Sequence, residues 1–148
     1  MKHFSIWLVL LCLGSCFTAC APYQVNHKVV GNADLSQAKR FYIAHNPDDT
    51  TPLDVIIEAE LNKQGFYATH GDKADLPEDT DILITYEFHW YWDFTNYLLQ
   101  FEIELRDPNT GVPLARGESW RASLARRTPE EMANEILEPL LKPSSATE

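Results

Sequence analysis

Three glutamates, Glu87, Glu102 and Glu118, and one histidine, His89, are the residues of this chain whose types and spacing could do chemistry. Each lies in a stretch where apolar and polar residues alternate. If these stretches pair as antiparallel neighbours, with Trp92 opposite Tyr97, Trp90 opposite Leu99 and Phe88 opposite Phe101, then Glu87 falls opposite Glu102. Pairing Leu105 with Ala115 places Glu102 opposite Glu118, so three carboxylates form a row with about 5 Å between neighbouring strands. A second row of His89, Gln100 and Trp120 runs beside it. Like charges directly opposed destabilise a sheet and raise carboxylate pKa values. Such a row either holds a hard cation, works as an acid/base pair, or is neutralised by interleaved cations, with Arg116 facing Glu104. Carboxylates on a flat sheet lack the pocket that catalysis needs. The neutralised, solvated face is therefore the expected outcome, and no catalytic or metal-binding residue is assigned.

Other chemistry finds little support. No Gly-x-Ser-x-Gly elbow, His-Glu-x-x-His zinc helix, phosphate-binding Gly-rich loop or dinucleotide fingerprint occurs. His27, His45, His70 and His89 are scattered over a polar segment, a strand end, a loop and a strand, which is the distribution of surface histidines. No cofactor is expected. The aromatics are more conspicuous: Trp90, Tyr91, Trp92, Phe94 and Tyr97 crowd one hairpin tip. In the register above, Tyr91, Leu98 and Trp120 point away from the apolar face, and with Phe94 they make an apolar patch on a polar surface. A patch of this kind is more often a binding surface than an accident, so these four are the expected partner-binding residues.

The elements that must position these residues read as strand, helix, strand, three long strands, helix. Arg40–Ala44 is β-rich and stops at the turn cluster Asn46-Pro47-Asp48-Asp49. Thr51 and Pro52 open a helix on which Leu53, Ile56, Ile57, Leu61 and Gln64 fall at helical spacing; Gly65 ends it and Phe66 begins a short strand. Residues 70–80 form a polar loop. From 81 to 93, Ile82, Ile84, Tyr86, Phe88, Trp90 and Trp92 alternate with polar residues, and 97–105 repeat the pattern. Asp107-Pro108-Asn109-Thr110-Gly111 is a turn, followed by a strand at 114–122 whose small residues Ala115, Gly117 and Ser119 leave room for a helix close above. Thr128-Pro129-Glu130-Glu131 is a capping box with proline at the first helical position. The helix it starts buries Met132, Ile136 and Leu140, and Pro139 should bend or end it. The expected fold is α+β: a two-layer sandwich with a mostly antiparallel sheet and both helices on one face.

The N-terminus carries an address. Lys2 precedes an apolar run from Phe4 to Leu13 and small residues ending in Thr18-Ala19-Cys20, the organisation of a secretory signal peptide. The run is shorter than the roughly 18–20 residues of a membrane-spanning helix. Phe17-Thr18-Ala19-Cys20 resembles the bacterial lipobox, in which the cysteine thiol is acylated, with palmitate-type chains, and becomes the new N-terminus. Leu13-Gly14-Ser15-Cys16 fits the same pattern, but Cys20 gives the fuller apolar region and is followed by Ala21-Pro22. All three cysteines, Cys12, Cys16 and Cys20, lie at or before this point, so a domain cut there has no disulfide. Two or more acyl chains attach a protein stably, each buried methylene contributing about 0.8 kcal/mol. The resemblance, with Ala21 rather than Asp after the lipid site, implies an outer-membrane address on the periplasmic side.

These readings divide the chain into a signal peptide at 1–19, a lipidated tether at 20–36, a sandwich domain at 37–143 and a disordered tail at 144–148. Loss of the leader removes Lys2 from 12 basic residues and leaves 11 against 22 acidic ones, a formal charge of −11. Such a surface repels nucleic acid and anionic lipid headgroups alike, although Arg116, Arg121, Arg126 and Arg127 fall within twelve positions and allow a local basic patch. The element order, the lipobox and the Asp107–Gly111 hairpin with Ala115-Arg116-Gly117 resemble small outer-membrane lipoproteins of unknown function, and are similar in topology to lipopolysaccharide-assembly and peptidoglycan-synthase-activator lipoproteins. The resemblance implies a non-enzymatic accessory protein that binds an envelope protein or a glycolipid.

Overall fold

The structure, a computed structural model, describes residues 23–30 and 34–142. The signal peptide, the acylation cysteines and the 144–148 tail lie outside these residues. Six strands form one sheet: β1 (Tyr23–Val29), β2 (Arg40–Ala44), β3 (Tyr67–Gly71), β4 (Ile82–Asp93), β5 (Thr95–Arg106) and β6 (Pro113–Arg121), in spatial order β1-β6-β5-β4-β2-β3. Among the described residues two α-helices occur, α1 (Leu53–Lys63) and α2 (Pro129–Leu141).

Two corrections to the expected fold arise here. Tyr23–Val29, read as tether, is an edge strand antiparallel to β6, with Tyr23 opposite Arg121 and Val29 opposite Ala115. The sheet is mixed rather than mostly antiparallel, because β2 pairs in parallel with both β3 and β4. The first parallel pairing follows from the connection: α1 carries the chain from β2 back to the same end of the sheet, where β3 starts beside it.

Leu53, Ile57 and Leu61 from α1 and Met132, Ala133, Ile136, Leu137 and Leu140 from α2 share one core with Phe41, Ile43, Ile84, Phe101, Ile103 and Leu105 of the sheet. Both helices therefore cover the same face. The other face is not wholly bare: Tyr42, Ala44 and Leu83 pack there under Leu76, from the segment joining β3 to β4.

Local chemistry explains the boundaries. Asp49, rather than Thr51, satisfies the first turn of α1, its carboxylate accepting from the Thr51 and Leu53 amides at 2.8 and 3.1 Å. At the other end Gly65, with φ of +92°, donates to Asn62 O and Phe66 to Leu61 O, a Schellman closure that drops Phe66 edge-on against Phe41 at 5.0 Å. In the β5–β6 turn the Asp107 carboxylate accepts from the Asn109 and Thr110 amides, which holds it below the usual aspartate range.

Thr128 caps α2 in the expected box: its hydroxyl accepts from the Glu131 amide, and the Glu131 carboxylate accepts from the Thr128 amide. Thr128→Ala should cost about 1 kcal/mol, read as a lower urea midpoint; an unchanged midpoint would show the cap to be idle. α2 runs two residues past Pro139. A proline cannot donate to the carbonyl four residues back, and that carbonyl, Glu135 O, instead accepts from His27 Nε2 of β1 at 3.0 Å. The edge strand thus supplies the hydrogen bond that the proline withholds. Gly117 of β6 lets α2 come close, since a Cβ there would stand 2.5 Å from Ile136 Cγ2.

Candidate functional site

β4 and β5 are each twelve residues long, about 40 Å of strand, whereas the 13 residues of α2 span about 20 Å. The β4–β5 hairpin therefore outruns the helices and carries its tip into solvent. Tyr91, Trp92 and Phe94 are 52%, 69% and 90% exposed. Trp92, expected on the covered face, lies beyond the end of the core for this reason. Phe94 holds a left-handed φ of +59°, which bulky L-residues avoid.

The segment after β6 braces the tip. Ser123 Oγ donates to Asp93 at 2.6 Å, and Arg126 donates to the Asp93 carbonyl at 2.9 Å. The Arg126 guanidinium lies 4.3 Å from the Tyr97 ring centroid, and Tyr97 packs edge-on against Tyr91 at 5.9 Å. A shallow depression of about 330 Å³ lies between Thr50, Thr51, Trp90, Tyr91, Trp92 and Asn96.

Along most of the hairpin the expected register holds, with Phe88 opposite Phe101 and His89 opposite Gln100. Between His89 and Trp90 it shifts: Trp90 pairs with Leu98 and Tyr91 with Tyr97, leaving Leu99 as the extra residue. From there to the tip the faces of β5 exchange. Leu98, expected on the exposed patch, is instead 1% exposed and part of the core. Tyr91 and Phe94 are exposed, Trp120 is half-buried, and Leu98 belongs to no surface.

The carboxylate row does form in register, Glu87 opposite Glu102 and Glu102 opposite Glu118. Two of its three members, Glu102 and Glu118, are engaged by neighbouring side chains. Arg116 pairs with Glu102, diagonally and not with Glu104 as expected; Glu104 pairs with Arg106; Gln100 donates to Glu118 at 2.7 Å. Burial raises the Glu102 carboxyl above the usual range, and Arg116 opposes the shift. Among the described residues no group of three or more His, Cys, Asp or Glu is placed to hold a metal.

A polar cluster that the sequence analysis did not single out sits past the end of β2. His45 Nδ1 lies 2.7 Å from Asp54 Oδ2, Tyr86 OH donates to Asp49 Oδ2 at 2.8 Å, and Asn46 Nδ2 donates to the Tyr86 carbonyl at 3.0 Å. These bonds fasten the 45–51 loop and the start of α1 to β4. Burial, in the first place, raises the Tyr86 phenol, and the Asp54 hydrogen bond raises His45 above the ordinary histidine value. The usable signal for this cluster was the Asn-Pro-Asp-Asp run itself. With His45 raised in the folded state, its contribution is complete below the unfolded value near 6.5 and is lost as pH rises through the folded value. The difference in urea midpoint between the wild type and His45→Gln should shrink as pH rises from about 6.5; a difference independent of pH would show that His45 is not charged there.

The chain matches no protein-family model and no curated protein by sequence. Its fold is similar to that of solved structures. PelC from Paraburkholderia phytofirmans, crystallised as a dodecamer, aligns with a TM-score of 0.60 for a point variant in one crystal form and 0.58 in a second crystal form. The alignment with the point variant is 13% identical and covers 82% of this chain and 99% of that one. A DUF4136 family protein from Bacteroides thetaiotaomicron aligns with a TM-score of 0.53 at 14% identity, over 82% of this chain and 98% of that one. At these identities the likeness is one of fold, here a six-stranded mixed sheet with both helices on one face.

Proposed function

We propose that this chain is a lipid-anchored accessory protein of the bacterial envelope, held at the periplasmic face of the outer membrane, and that it binds an envelope protein or glycolipid without catalysing a reaction. The carrying observation is the face of β4, β5 and β6 that neither described helix covers, where half-buried Trp120 lies opposite Gln100 in a field of Glu87, His89, Glu102 and Glu118. A broad, polar face with an aromatic anchor suits a macromolecular partner better than a small substrate. The lipobox supports the address, and among the described residues no helix is long and apolar enough to cross a membrane.

The test compares two variants on the same membrane preparations. Trp120→Ala should leave the urea midpoint nearly unchanged but weaken capture of the cross-linked partner by about 2 kcal/mol or more, roughly thirtyfold, while Glu87→Gln should do neither. A large fall in midpoint for Trp120→Ala would make that residue core. An effect confined to Glu87→Gln would move the site to the carboxylates.

A second reading is self-assembly, favoured by the fold shared over 99% of the length of a PelC chain crystallised as a dodecamer. The two open sheet edges, β1 and β3, offer unpaired backbone groups for such contacts. Sedimentation of the lipidated protein in detergent distinguishes a closed oligomer from a monomer.

A further inference from the structure

We propose that the β4–β5 hairpin tip seats in the headgroup region of the phospholipid leaflet that holds the anchor, so that the protein stands on the membrane at two points, lipid and tip. The proposal rests on the lipoprotein reading, and the strand register carries it further. β1 begins at Tyr23, which pairs with Arg121, the last residue of β6. Two residues on, Ser123 bonds to Asp93 at the hairpin tip. The chain thus enters the domain at the same end of the sheet as the tip. Cys20 precedes Tyr23 by three residues, so an acyl group there starts within about 11 Å of Tyr23 along the chain.

At this end the surface has the composition of a membrane-interface belt. Trp92, Phe94 and, on the bracing segment, Leu124 at 99% exposure project outward with Tyr91. Aromatic rings with a polar edge settle at headgroup depth. The left-handed backbone of Phe94 costs the isolated domain free energy, and at 90% exposure the ring recovers little of it by packing. Charge is balanced at this end: Arg121 pairs with Glu135, Arg126 with Asp93 and Arg127 with Glu131. The exposed aromatic and aliphatic side chains, rather than net charge, therefore make the contact.

The experiment uses the lipidated protein reconstituted in vesicles of phosphatidylethanolamine and phosphatidylglycerol brominated near the headgroup. Trp90, Trp92 and Trp120 are the tryptophans that remain after leader removal. The expected result is lipid quenching of emission together with protection from aqueous iodide, both largely lost in Trp92→Phe, which removes the reporter. Phe94→Asp, at an exposed left-handed position that aspartate tolerates, should keep the fold and the vesicle attachment yet abolish most of the quenching. Full iodide access to Trp92 on vesicles overturns the proposal, as does quenching unchanged by Phe94→Asp. Iodide protection that requires no lipid and disappears with an oligomer in sedimentation overturns it in favour of a contact between copies. The anchor is tested separately by Cys20→Ser and by the mass of the N-terminal peptide. If Cys20 proves unacylated, the same quenching measured at saturating vesicle concentration still decides the tip: quenched Trp92 sustains it, and unquenched Trp92 removes it.

Discussion

Glu135→Ala is expected to destabilise the protein by about 3 kcal/mol, toward the lower end of the roughly 3–5 kcal/mol seen when one partner of a buried ion pair is removed. The Arg121 side chain is 4% exposed, and that of Glu135 26%. Their pair joins the end of β6 to the middle of α2, and Ser119 donates its hydroxyl to the same carboxylate. Arg121 Nε finds no hydrogen-bond partner among the described residues, and the guanidinium rests 4.6 Å from the centroid of Tyr23. Without Glu135 the cation keeps only that ring face, a weak substitute for a carboxylate. Water reaches one side of Glu135, which is why the low end of the range applies. The double variant Arg121→Met with Glu135→Leu removes both charges and keeps volume, so most of the loss should return. Urea midpoints followed by circular dichroism decide it. A double variant no more stable than Glu135→Ala would assign the loss to packing of α2 rather than to a stranded charge.

What could be read from residues alone follows the range of the interaction. The α2 cap, the Gly65–Phe66 closure and the Asp107 turn are set within five residues, and each formed as its residue types dictate. The Glu87, Glu102 and Glu118 register was legible as well, because alternation puts Tyr86, Phe88, Phe101, Ile103 and Leu105 on one face in that pairing. β1 was overlooked although Tyr23, Val25, His27 and Val29 do alternate with Gln24, Asn26 and Lys28. An edge strand that buries almost nothing of its own has a weak apolar signal, and its place is fixed by β6 and by the Glu135 carbonyl that Pro139 leaves free, neither of them local. The parallel pairing of β2 was implicit in the strand, eleven-residue helix, strand sequence, since only a crossover of that kind returns the chain to the same end. The His45, Asp49, Asp54 and Tyr86 cluster is closed by a bond between residues 37 apart, Asp49 and Tyr86, so the local Asn-Pro-Asp-Asp run marks only one side of it.

The hairpin tip fails differently, and Leu98→Ala tests the reason. Tyr97, Leu98 and Leu99 are three apolar residues in succession, so alternation cannot say which of them faces the core. An unshifted register assigns Leu99 to the core opposite Trp90 and sends Leu98 outward; the structure does the reverse, placing Leu98 opposite Trp90. Leu98→Ala should therefore cost about 2–5 kcal/mol, the range for a leucine truncated in a packed core, whereas Leu99→Ala, at a half-buried position, should cost clearly less. Equal losses, or a larger loss for Leu99, would restore the unshifted register. The outcome bears on function because the shift decides what the tip presents. With Leu98 inside, Tyr97 turns to the other side of β5 and is covered by Arg126 and Tyr91, and the apolar residues left to solvent are Tyr91, Trp92 and Phe94 at the extreme end of the hairpin. An unshifted strand would spread the apolar surface back along the sheet through Leu98 toward Trp120. The bulge thus separates two surfaces, an aromatic tip and an acidic sheet face, and the proposed membrane and partner contacts would fall on different parts of the same hairpin.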